Sequence, residues 1–138
     1  MDRAGVYEFI AKQKLAVVSS RGPGGAPQSA LVGIAVTPGL DIVFDTLETT
    51  RKYRNLVAAP ECSFVIGCSS EVTVQYEGLA EEPAGAERAR WKEIYFRTWP
   101  DGREREKWPG ITWFAVRPRW IRYSNFEAQP PEIVEFRF

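Results

Sequence analysis

Apolar residues recur along this chain with a period close to two, in short runs broken by Gly, Pro, Ser and Asp. The run 14–20 predicts a strand, and the turn 21–25 (Arg21-Gly22-Pro23-Gly24-Gly25) stops it. Residues 27–37 predict a second strand, apolar at Leu31, Val32, Ile34 and Val36, with Gly33 placed where a ring or another backbone approaches closely. After the turn Pro38-Gly39, residues 41–46 predict a third strand, and 61–67, with Cys62, Phe64, Val65 and Ile66, a buried fourth. Residues 71–81 alternate most cleanly. Val72, Val74 and Tyr76 share one side and Thr73, Gln75 and Glu77 the other, so one face meets something polar. Two closing strands are expected at 111–117 and 119–124, with Pro118 permitting a bend or bulge between them.

Helical spacing is confined to three places. Asp2 caps a first helix ending near Gln13, whose Val6, Phe9 and Ile10 fall on one face, the pattern of a lid on a sheet. Thr49 or Thr50 caps a short helix, 50–58, which carries Tyr53, Leu56 and Val57 and is closed by Pro60. A third opens at Pro83-Ala84-Gly85; its apolar stripe of Trp91, Ile94 and Tyr95 is modest, so it is expected to be largely solvated. All five Trp lie between Trp91 and Trp120, which fits core packing and also fits an interface or a ligand wall. The segment 98–110, dense in charge and turn residues, is expected to be mobile or interfacial. The apolar tail, 133–138, predicts docking on the body or on a second subunit. Together these elements give an α+β, mainly β fold: one domain, 1–138, built as a small antiparallel barrel of six or so strands with two to three flanking helices.

One stretch breaks a local rule. In Thr49-Thr50-Arg51-Lys52-Tyr53-Arg54-Asn55 a strand ends and a helix begins, and Arg51 and Lys52 stand at the electropositive end, where Asp or Glu would be favoured. Free amides, Thr hydroxyls and two cations together suit a phosphate. The plain alternative is an exposed basic turn neutralised by Glu48 and solvent.

Composition narrows the chemistry. At 138 residues, Lys plus Arg equals Asp plus Glu, 18 against 18, so no global field draws nucleic acid or an anionic membrane. The start has no basic region followed by an apolar stretch, and no window reaches the length of a membrane span, so a soluble cytoplasmic protein is expected. Cys62 and Cys68, if on one strand, are about 20 Å apart and cannot bond to each other; buried, reduced thiols are expected. There is no His, which excludes Ser-His-Asp and Cys-His catalysis and a His-ligated haem, and leaves chemistry to carboxylates, Arg, Lys, Tyr, Thr, Cys or a borrowed cofactor. No metal site is expected.

The order of strand 15–20, the turn with Gly25-Ala26-Pro27-Gln28-Ser29, strand 41–46, Thr50-Arg51-Lys52-Tyr53-Arg54-Asn55-Leu56, Ala59-Pro60 and Val74-Gln75-Tyr76-Glu77-Gly78-Leu79-Ala80-Glu81 resembles the pyridoxamine 5'-phosphate oxidase-like FMN-binding split-barrel family. Residues 113–124 look like the closing strands of its small general-stress-protein-like members. The resemblance implies a homodimer with FMN at the subunit interface and a small-molecule substrate or NAD(P)H as reaction partner. It implies that Arg51 and Lys52 hold the phosphate, with Thr46 and Thr50 at the nearby hydroxyl positions. The flavin ring would lie along Ala30, Leu31 and Val32, whose backbone groups bond its polar edge. Thr73 would face the cofactor from the neighbouring strand, with Gln75 on the same face as a second contact. The Trp-bearing loop from Trp99 to Trp108 is also expected to wall the ring's open side, from the same chain or from the partner subunit.

Departures from the family pattern bear on the reaction. Where the true oxidases carry an Arg and, five residues on, a Lys that grip the substrate phosphate, this chain has Ala30 and Ala35. The oxidases' C-terminal Arg-Leu-His segment has no counterpart beyond Tyr123-Ser124-Asn125-Phe126. Both absences argue against vitamin B6 oxidation. A small flavin-dependent oxidoreductase or reductase of unidentified substrate is the leading expectation, and a non-catalytic flavin-binding stress or sensor protein the alternative. A deazaflavin is a third possibility, whose longer acidic tail asks for more basic residues than the neutral chain offers on its face.

Overall fold

The computed structural model describes every residue from Met1 to Phe138. Eight strands form its frame: β1 (Leu15–Arg21), β2 (Pro27–Gly33), β3 (Ala35–Val36), β4 (Ile42–Leu47), β5 (Glu61–Ile66), β6 (Val72–Glu81), β7 (Ile111–Asn125) and β8 (Glu132–Arg137). All pairings are antiparallel, in the spatial order β2-β1-β5-β6-β7-β4-β3, with β8 added to the far half of β7. Helices α1 (Arg3–Gln13), α2 (Arg51–Ala58) and α3 (Gly85–Thr98) sit at ends and crossovers, and 3-10 turns cover Pro23–Gly25 and Pro100–Lys107. The split barrel is the one expected, with eight strands in place of six or so. No helix is long and apolar enough to cross a membrane.

Two strand boundaries differ from expectation, each for a steric reason. Residues 27–37 are two strands, because β2 pairs with β1 and β3 with β4 at opposite ends of the sheet. The chain switches at Ile34, whose amide donates to the Lys14 carbonyl (2.8 Å) and whose own carbonyl accepts from Trp99 Nε1 (2.9 Å). Gly33 admits the indole: a Cβ there would stand 2.8 Å from a ring carbon of Trp99. Conversely, the two closing strands are one, the 15-residue β7. Pro118 lies opposite Gly78 where the register slips, and a residue without an N–H fits a bulge, where a ladder bond is already missing.

The length of β7 lets its two faces serve two cores. On one face Phe44 stacks on Phe114 (5.8 Å between centroids) and meets Phe64 edge-on (6.0 Å), and Phe64 meets Tyr76 (5.6 Å), with Val6 and Ile10 of α1 as the lid. On the other, Trp91, Tyr95 and Phe96 of α3 pack against Val43, Trp113 and Ala115. Helix α3 keeps its charged side in solvent, but its apolar stripe is more deeply buried than expected, with Phe96 beside Trp91 and Tyr95 at positions i, i+4 and i+5 and Ile94 only partly covered. The 98–110 segment is likewise a docked element. Its charges find partners on α3 and β4: Glu106 with Lys92 (2.8 Å), Arg103 with Glu93 (3.0 Å) and Arg105 with Asp45 (3.0 Å). Trp91 and Trp113 are core residues, whereas Trp108 is exposed. The tail docks on the body as β8, with Phe136 against the main core.

The two cysteines part company: Cys62 is buried on β5, while Cys68 lies beyond the strand and is exposed. Burial pushes the Cys62 thiol up to about 12. Its protonated form therefore favours the fold fully below the unfolded thiol's value of about 8.5, and that contribution is lost as pH rises towards 12. A thiol reagent such as Ellman's should titrate one equivalent rapidly in the native protein at neutral pH and two after unfolding; two rapid equivalents in the native state would contradict the burial of Cys62.

Candidate functional site

β4 ends at Leu47 and the chain turns through Glu48-Thr49-Thr50 into α2. Thr50 is the N-cap, accepting from the Tyr53 amide (3.3 Å). Its hydroxyl proton goes to the Leu47 carbonyl (2.9 Å), so the 3.0 Å contact between Thr46 and Thr50 is made with the Thr46 proton. Both hydroxyl protons are thus spent on holding the turn. The backbone amides of Arg51 and Lys52 remain without acceptors, as first-turn amides do. Tyr53, on the inward side, rests on Phe114 (5.8 Å) and donates to Glu82 (3.2 Å), which ties the helix start to the core and to the end of β6.

Asn55 does the same at the other end of the helix. It is buried, and its side-chain amide donates to Ser20 Oγ (3.0 Å) on β1 and to Gln28 Oε1 (2.9 Å) on β2. This clamp escaped the sequence reading as a site feature. The available signal was an amide side chain beside Leu56 on the inward face of a short helix, a position an apolar residue would normally take.

Between the helix start and the inner side of β1 and β2 lies a cleft of about 380 Å³, lined by Ser20, Gln28, Ala30, Thr50, Arg51 and Lys52 among others. Burial lowers the Lys52 ammonium below the ordinary lysine value, opposed by the Asp45 carboxylate. Neither Arg51 nor Lys52 makes an ion pair within the chain. A half-buried cation without an ion-pair partner, beside two free amides, offers the kind of donor set that an anion would need. Arg51 also borders a second cleft of about 520 Å³ with Arg21, Arg54, Asn55 and the Gly22–Gly25 turn. Another surface cavity, about 620 Å³, lies around Ser63, Glu77 and Trp120 and contains none of the α2 cations.

The sequence profile of the family described as pyridoxamine 5'-phosphate oxidase matches residues 4–125, nearly the whole chain and all of this cleft. The chain belongs to that family. No curated protein matches it in sequence. Among solved structures, a haem-binding protein from Mycobacterium smegmatis superposes with a TM-score of 0.83 at 17% identity over 99% of this chain. This chain spans only 58% of that protein's length. A protein related to general stress protein 26 from Clostridium acetobutylicum gives 0.75 at 18% identity, covering 100% of this chain and 97% of that one. An F420 reductase gives 0.63 at 16% identity, covering 83% and 93%. At these identities the likeness is one of fold.

Within this family fold the other expected site residues divide into two groups. Ala30 lines the cleft and Val32 is buried on the same side of β2, whose outer edge carries no partner strand. Leu31 points to the opposite face, 66% exposed. Thr73 and Gln75 share that outer face, because the cross-strand row runs Leu31, Val17, Val65, Gln75. β6 is not the neighbour of β2 but three strands away, about 14 Å at the usual spacing, since β1 and β5 lie between. One chain therefore brings Thr50, Arg51, Lys52 and Ala30 together, with Thr46 behind the turn, and holds Thr73 and Gln75 apart from them. Ala35 is buried against the α3 core, away from the cleft. Trp99 is spent on Gly33 and Ile34, so the Trp loop builds no wall over this cleft within the chain.

Proposed function

We propose that this protein is an FMN-binding flavoprotein and acts as a small flavin-dependent oxidoreductase, with the phosphate held at the start of α2. The observation that carries the reading is Lys52: half-buried, without a counterion, and facing a cleft that Arg51 and two free amides also border. These donors fit a phosphomonoester dianion. Lys52 supplies a point charge, Arg51 a fork, and the amides fixed dipoles. The unpaired edge of β2 supplies backbone groups for the polar rim of a ring system. Bound flavin would supply hydride transfer, and the chain's part is to anchor, orient and dry it.

The separation of Thr73 and Gln75 from the cleft supports a homodimer. The outer sheet face exposes Leu15, Leu31, Val65 and Ile133, an apolar set suited to a second copy of the same face. Such pairing is the means by which Thr73 and Gln75 of the partner subunit reach a ring whose phosphate lies on α2. A second reading, a deazaflavin with an anionic tail, is favoured by the adjoining cleft, where Arg54 and Arg51 stand without ion-pair partners beside Arg21.

The deciding experiment is titration of the purified protein with FMN, riboflavin and the deazaflavin F420, followed by flavin fluorescence. FMN should bind at least about a hundredfold more tightly than riboflavin, the worth of one or two charged hydrogen bonds. No measurable FMN affinity would sink the flavoprotein reading, and F420 binding in preference to FMN would favour the second. Reduction of the bound flavin by NADH or NADPH and reoxidation by a second substrate separates an enzyme from a flavin-holding stress or sensor protein.

A further inference from the structure

Asn55 lies one helical turn beyond Arg51 on α2, at i and i+4, where Cβ atoms stand about 5–6 Å apart. The two groups it clamps are therefore close to the free amides and cations of the helix start. They are Ser20 and Gln28, Cα partners across β1 and β2, and they share the inward side of those strands with the next pair, Val18 and Ala30. Both line the cleft of about 380 Å³, and Gln28 also lines the adjoining one.

The clamp fixes which way each neighbour's protons point. An amide nitrogen donates only, so the bonds from Asn55 Nδ2 take up the Ser20 oxygen at 3.0 Å and Gln28 Oε1 at 2.9 Å. The Ser20 hydroxyl proton and the Gln28 NH2 group must turn elsewhere, and neither meets an acceptor in the chain. Ser20 is 5% exposed, so its proton is a buried donor at the wall of a cleft. Gln28 Nε2 lies against Gly22, where a Cβ would stand 2.6 Å from it. No carboxylate lines either cleft, and the Thr50 proton is already spent on the Leu47 carbonyl. The walls offer protons, and whatever enters must bring acceptors.

We propose that Ser20 and Gln28 are ligand-binding residues of the anion cleft, donating to the oxygens of a phosphate monoester from the strand side while the start of α2 holds it from the other. Asn55 is the positioning residue: it does not touch the anion, and it turns both donors away from itself. Three terminal phosphate oxygens have room for these two bonds beside those from Arg51, Lys52 and the amides. In ligand terms this rests on the phosphate reading above; in its polarity it stands on the free protein.

Two kinds of measurement test it. In ligand-free protein labelled with nitrogen-15, the side-chain amide protons of Asn55 should exchange with solvent slowly and those of Gln28 rapidly. Protected Gln28 protons beside unprotected Asn55 protons mean the opposite polarity, and overturn the inference whether or not the protein binds flavin. With ligand, Ser20→Ala should weaken FMN binding by about tenfold and leave riboflavin within about twofold, since one hydrogen bond to a charged acceptor is removed. Equal losses for the two flavins overturn it, because riboflavin has no phosphate. In Asn55→Asp the carboxylate draws both donors back to itself, so adding Ser20→Ala to that variant should cost less than about twofold more in FMN affinity. A further tenfold loss there shows that Asn55 does not direct the Ser20 proton. Gln28→Met keeps the side chain's length without its amide; it should show the same selective loss of FMN and serves should a variant of the two buried residues not fold. A parent protein that binds neither flavin defeats the FMN reading, and inorganic phosphate is then the probe. It should shift the Gln28 side-chain amide resonances together with the backbone amides of Arg51 and Lys52; shifts at α2 alone, or none, overturn the inference.

Discussion

Replacing Arg51 and Lys52 together by Ala is expected to weaken FMN binding by about a hundredfold to ten-thousandfold while leaving riboflavin affinity within about threefold. Two hydrogen bonds to a charged acceptor are each worth about 1.5–3 kcal/mol, and about 1.4 kcal/mol corresponds to each factor of ten. Riboflavin lacks the phosphate and gives neither bond. The fold should be untouched, because neither side chain makes an ion pair and α2 is fixed by Tyr53, Asn55 and Leu56. Isothermal titration with both ligands checks it, and equal losses for the two would place the phosphate elsewhere. The pH dependence follows with a definite sign. Burial holds Lys52 below an ordinary lysine, so its charge goes first as pH rises, and FMN affinity of the parent should decline there. Lys52→Ala should be weaker throughout and flat over that range, since Arg51 stays protonated.

Phe44→Ala should cost about 3–5 kcal/mol of stability, the range for deleting a buried ring, and lower Tm by roughly 10–20 °C. Phe44 is 0% exposed and sits between Phe64 and Phe114. Phe114 in turn carries Tyr53 of α2, so the cavity should also loosen the helix start and weaken FMN binding at temperatures where the variant is still folded. Urea denaturation gives the first effect and a titration well below Tm the second. Val57→Ala, on the exposed side of the same helix, should change stability by less than about 0.5 kcal/mol. A loss below about 1 kcal/mol for Phe44→Ala would mean that the aromatic cluster is not the mechanical base of α2.

What was legible in advance follows the range of the forces involved. The cap at Thr50, the helix stop before Pro60, the alternation in β6 and the bulge at Pro118 are decided by neighbours within a few residues, and each lies where local chemistry places it. Gly33 was legible as a place of close approach, although not as the seat of Trp99, 66 residues away. The split of residues 27–37 was not legible, because an apolar run does not say which strand it will pair with, and pairing with both β1 and β4 requires the break. The docking of 98–110 was hidden for a related reason. A run of alternating charge looks solvated until its partners on α3 and β4 are known.

The candidate site divides along the same line. The family, the barrel and the cations Arg51 and Lys52 at a helix start are all written in local pattern, since a misplaced charge pair is visible against local electrostatics. The assembled fold decided that Lys52 makes no ion pair, that Asn55 locks α2 to β1 and β2, and that Arg105 pairs with Asp45. It also decided that Thr73 and Gln75 face away from the cleft across three strands. Ion pairs and sheet order join residues dozens of positions apart, and no local preference in the chain encodes such a meeting; it arises when the strands find their register and the two cores close on either side of β7.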